Sequence, residues 1–158
     1  MAKNPIYVSI EMRPYLVDYT IHFYGGHPIK ANKGSKLFPM LSDYLTHPPA
    51  NYRPLPQSPR LITFELPYNK ILDIRRNNYI SPDNFSKIQS HFYGKFQYHF
   101  FEFMDSRCLR NCMPFKSSII EFMDSNNISW DRFQYDSLKR MYFLHRVQFK
   151  KTQRFLSR

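Results

Sequence analysis

Eight cationic side chains, Arg132, Lys139, Arg140, Arg146, Lys150, Lys151, Arg154 and Arg158, fall in the last 30 residues of this chain, opposed only by Asp131 and Asp136. That stretch carries +6 of a formal net charge of +11. Guanidinium and ammonium groups at this density neutralise phosphates, and the affinity they give falls as salt rises. Arginine can also make a bidentate contact to guanine in a major groove. Arg132, Lys139, Arg140, Arg146, Lys150, Lys151 and Arg154 are therefore the candidate nucleic-acid-binding residues. Those near the start of the terminal helix, Lys139, Arg140 and Arg146, are expected to bear on sequence preference, and Lys150, Lys151 and Arg154 to act on phosphates.

Other chemistry is poorly supplied. There is no Gly-rich phosphate loop and no nucleophile-elbow pattern. The carboxylates are scattered singly, so a two-metal site would need Asp18, Glu65, Asp73 or Glu102 to converge in the fold. Cys108 and Cys112, the only cysteines, stand in a C-x-x-x-C spacing unlike a zinc knuckle, and are expected as reduced, partly packed thiols. His91, His99 and His145 are read as structural. The chain is expected to be no enzyme and to hold no metal or cofactor.

The elements that must position the basic stretch can be read in order. Ile6, Val8 and Ile10 alternate with Tyr7, Ser9 and Glu11, which predicts a strand over 6–12. Leu16, Tyr19, Thr20 and Phe23 recur at helical spacing before Gly25-Gly26, so a helix over 15–24 should end there. A short strand within 27–32 and a helix over 36–46 follow. Strand, helix, turn and helix is also the order of a ribbon-helix-helix reader, but its groove side would carry Glu11, which phosphates repel; a core strand is preferred.

Five prolines in 47–59 predict an extended strap lying on the protein's own aromatic rings. A strand over 60–66 should then complete a small sheet with 6–12. Ser81-Pro82-Asp83 starts a long helix running to about residue 107, whose stripe is Phe85, Ile88, Phe92, Phe96, Tyr98 or His99, and Phe103. Phe85, Ile88, Phe92 and Phe96 are expected to cover the sheet. Gly94 within that helix suggests a close approach by another element.

After a break at 111–114 the pattern is a helix to about 125, ended by Asn126-Asn127, then a turn with Ser129 or Asp131 as cap. Asp136 is expected to cap the terminal helix, held by a stripe of Leu138, Met141, Tyr142, His145 and Phe149. Ile119, Ile120, Phe122 and Met123 would support it from behind, as in a helix-turn-helix.

These readings give an α+β fold: a small sheet packed by helices, with a helix-turn-helix-like C-terminal part. Residues 1–110 form the core with its strap at 47–59, and 111–158 the basic helical segment. The SIIEFMDSNNISWDRFQYDSLKRMYFLHR stretch resembles the C-terminal end of small uncharacterised basic proteins of bacterial phages and integrative mobile elements. YVSIEMRPYLVDYTIHFYGGHPIKANKGS resembles the opening of the same group. The resemblance implies a DNA-binding accessory or regulatory protein. The alternative is a structural or interaction protein whose basic helix meets nucleic acid or an acidic partner without reading sequence. Duplex DNA is the expected partner, with room for a homodimer and no membrane, and the expected location is cytoplasmic, since no apolar run is long enough for a span.

Overall fold

A computed structural model of the chain describes residues 5–68 and 76–156. The fold class is α+β, with a three-stranded and a two-stranded sheet packed against helices. The chain forms two compact units, Met1–Tyr93 and Gly94–Arg158, and the break at 111–114 is a turn within the second.

In the first unit β1 (Ile6–Glu11) pairs antiparallel with β4 (Leu61–Leu66). The register puts Ile6 opposite Leu66, Val8 opposite Phe64 and Ile10 opposite Ile62, so one face of the pair is continuously apolar. On the other face the Ser9 and Thr63 hydroxyls meet at 2.9 Å. The ladder partner of β1 is thus a strand of its own chain, as the sequence predicts. A third strand, β2 (Ile29–Lys30), runs parallel to β4 on its other side. It is too short to satisfy all of β4, and the Thr63 N–H donates instead to His27 Nε2 at 3.1 Å.

The first helix, α1 (Pro14–Tyr24), buries Tyr15, Leu16, Val17, Tyr19 and Thr20. It stops at Gly25, whose left-handed φ of 79° lets its N–H reach back to the helix carbonyls. Phe23, expected on the buried stripe, is exposed because it lies in the last turn. The second helix is shorter than predicted: α2 covers Leu37–Ser42, and Leu45–Thr46 leaves it as β3 to pair with β5 (Tyr79–Ile80). The strap at 47–59 holds no regular structure; the Tyr52 ring meets Tyr79 edge-on at 4.9 Å.

The long helix α3 (Pro82–Asp105) starts where Ser81-Pro82-Asp83 predicts. Its buried positions are Ile88, Phe92, Phe96, Phe100 and Met104, so the stripe runs through Phe100 and Met104 rather than through Tyr98 or His99, both exposed. Phe92 does cover the sheet, stacking on Phe64 at 5.8 Å. Phe85 is only half-buried, and Phe96 stacks instead on Phe100 and meets Phe122 within the second unit. Of the four residues expected over the sheet, Phe92 thus stacks on it while Phe96 joins the rings of the second unit. Gly94 is exposed, and among the described residues a Cβ there would meet nothing within 4 Å, so they make no close approach of the kind expected.

In the second unit α3 gives way to a π-helical turn, Ser106–Arg110, and the chain reverses with Cys112 at φ 52°. Helix α4 (Phe115–Ser125) buries Ser118, Ile119, Phe122 and Met123, and Arg107 pairs with Glu121 on its flank. Asn127 takes the left-handed conformation just after α4, the role its residue type suggests.

Candidate nucleic-acid interface

The terminal helix, α5, spans Arg132–Leu156. It starts earlier than the sequence suggests. Asp131 accepts from the Phe133 N–H at 3.2 Å and so caps it, while Asp136, the expected cap, is an exposed residue one turn inside.

One face of α5 is anchored. Gln134, Leu138 and Tyr142 are buried on it, with Met141 and His145 at its margins. The Tyr142 hydroxyl donates to Asp105 Oδ1 at 2.7 Å, and the Arg146 guanidinium lies close enough to act on the phenol. Burial, helped by the Asp105 carboxylate, pushes the Tyr142 phenol up to about 12. His145 stacks on Phe101 at 3.9 Å and places Nε2 3.5 Å from Asp105 Oδ2. These contacts give His145 a structural role, as its sequence context suggests. The anchoring stripe ends there, since Phe149 is half exposed rather than packed.

The opposite face is a second stripe at helical spacing: Phe133, Asp136, Arg140, Phe143, Val147 and Lys150. All are exposed except Val147, which is half-covered, and Leu144 and Lys139 flank them in the open. Phe133 is 75% exposed and Phe143 64%. Between α4 and α5, Phe115, Asp136, Lys139, Arg140 and Phe143 line an open recess of about 430 Å³. Its lining joins two aromatic rings with two cations and one carboxylate. Trp130, also exposed, sits just before α5 with its ring 5.6 Å from that of Tyr135.

Of the residues singled out by charge, Lys139, Arg140 and Lys150 are thus on the open side of α5, and the first two share the recess. Arg146 is half-buried and turned toward Tyr142. The side chains of Arg132, Lys151 and Arg154, and all of Arg158, lie outside the described residues. The sequence reading did not single out Phe115, Phe133 or Phe143; Phe133 and Phe143 stand seven and three residues from Arg140, a helical spacing, whereas Phe115 lies on another helix and carries no such signal.

Among the described residues no group of three His, Cys, Asp or Glu side chains is close enough to hold a metal ion, and Asp73 lies outside them. Cys108 is half-buried with Sγ 3.5 Å from Ser118 Oγ, and Cys112 is exposed; both are free thiols. No helix among the described residues is long and apolar enough to cross a membrane. Comparison with known protein families, with curated proteins and with solved structures finds no match.

Proposed function

We propose that the protein is a non-enzymatic nucleic-acid-binding protein that contacts its partner through the open face of α5, in the accessory or regulatory setting of a phage or mobile element that the sequence resemblance implies. The observation supporting this reading is that α5 is anchored along one stripe only, leaving Lys139, Arg140 and Lys150 exposed on the other side. A helix packed all round would have had no such face. Cations held on a rigid helix neutralise phosphates without ordering a loop, and sequence-independent affinity follows from that alone.

Titration of labelled nucleic acid at about 50 and 200 mM salt tests it: affinity should fall steeply, by roughly one log unit per log unit of salt for each phosphate contacted. Reversing Lys139, Arg140 and Lys150 to Glu should weaken binding across all sequences alike. Binding that is flat with salt, or unchanged by the reversal, removes the proposal.

A duplex-reading version of this function has one specific observation in its favour: Arg140 points away from the Leu138 and Met141 stripe and is exposed, as a guanine contact requires. Selection from a randomised duplex pool with Arg140→Ala beside wild type checks it; enriched sequences should change only if Arg140 reads bases.

A further inference from the structure

Resting on the proposed nucleic-acid function, we infer that the preferred ligand of this face is a single strand, whose unstacked bases lie on Phe143 and Phe133 while Lys139, Arg140 and Lys150 hold its phosphates. The open stripe of α5 presents rings and cations in turn, Phe133, Arg140, Phe143 and Lys150, with Asp136 and Val147 between them. A purely phosphate-binding helix gains nothing from large apolar rings in water, and the two Phe rings are among the most exposed large apolar side chains of the described chain. In a duplex the base faces are stacked against each other, so a phenyl ring in the groove finds only edges and the occasional thymine methyl. In a single strand each base offers a π-face and each linkage a phosphate, the repeat this stripe complements.

The recess sharpens the match. Its volume of about 430 Å³ leaves room for a planar heterocycle between the Phe115 and Phe143 rings. Lys139 and Arg140 also line the recess, available to the attached phosphate, and the Asp136 carboxylate can accept from an imino or amino N–H on a base edge. Phe115 is fixed from behind by the buried Tyr142 ring at 5.2 Å, so one wall is set before any ligand arrives. Phe133 lies about 15 Å along the helix from Phe143, far enough for a second base to use it. Stacking of this kind tolerates any base, which predicts binding without strong sequence preference.

The test is fluorescence anisotropy of full-length protein with oligo-dT, oligo-U, and a duplex of equal length, at one salt concentration. The single strands should bind about 10-fold or more tighter than the duplex. Phe143→Ala should weaken single-strand binding about 5- to 100-fold, well beyond any loss on the duplex, with Phe143→Trp restoring it. Lys150→Ala should instead weaken both forms together and lower the salt slope by about one. Duplex binding as tight as single-strand binding, or a Phe143→Ala variant that binds single strands normally, overturns this inference while leaving the proposed function standing. Failure to bind any of the three, including a protein that sediments with anionic vesicles instead, removes both.

Discussion

Both units of this protein bury aromatic side chains, but the most exposed rings among the described residues, Phe133, Tyr98, Phe143 and Trp130, all lie in the second. In the first, Tyr15, Tyr19, Phe64 and Phe92 are buried, and Phe92 stacks α3 on Phe64 of the sheet. In the second, Phe96, Phe100, Phe122 and Tyr142 already fill a core of three helices, and Trp130, Phe133 and Phe143 remain on the surface. A sheet face must be covered to exist in water, so its rings are committed to folding. A helix needs only one buried stripe, so α5 can hold a second set of rings that folding does not use. Stability and binding should therefore separate on α5 and not on the sheet.

The largest test of that contrast is a pair of truncations. Phe92→Ala, at a site only 2% exposed, should cost about 3–5 kcal/mol in urea denaturation. Phe143→Ala should leave stability within about 0.5 kcal/mol of wild type. Comparable losses in the two variants would show that the open stripe belongs to the fold after all.

A smaller effect lies at the anchored face of α5. Tyr142→Phe removes the hydrogen bond to Asp105 while keeping the ring, and should cost about 1–2 kcal/mol without altering nucleic-acid affinity. The pH dependence follows from the same group. Burial raises both Tyr142 and, in the first unit, Tyr19 from an ordinary 10.0 to about 12. Folding favours the neutral phenol, so this stabilisation is complete below the unfolded value of 10.0 and is lost as pH rises through about 12. Thermal midpoints of wild type should drop over that window, and those of Tyr142→Phe should drop less.

The smallest effect has the opposite sign. Gly94 is exposed within α3 and has open space where a Cβ would go. Gly94→Ala should stabilise by about 0.5–1 kcal/mol, through helix propensity and a less flexible unfolded chain. A differential-scanning midpoint that falls would mean that α3 needs the glycine for a reason its surroundings do not show.

Local chemistry was legible wherever a residue type acts on its own backbone. The alternation of Val8 and Ile10, and of Ile62, Phe64 and Leu66, marks half-buried strands because pleated side chains must alternate. Gly25 and Asn127 end helices because they accept a left-handed conformation, and Pro82 fits a first turn that lacks N–H partners. The basic excess near the C-terminus needed no structure to be seen.

Tertiary structure decided what depends on distant partners. β3 exists because Leu45 and Thr46 meet Ile80 and Tyr79, and two-residue strands carry no periodicity to read. The helical stripe of α3 was visible, but Phe92 meets Phe64 and Phe96 meets Phe122, and no local pattern divides one stripe between two cores. Arg146 was drawn to Tyr142 by a hydroxyl whose other partner, Asp105, lies 37 residues away from it. The exposed rings beside Arg140 were passed over for the same reason. Sequence gives the spacing of apolar residues on a helix, and only the packed neighbours determine which of its stripes is covered.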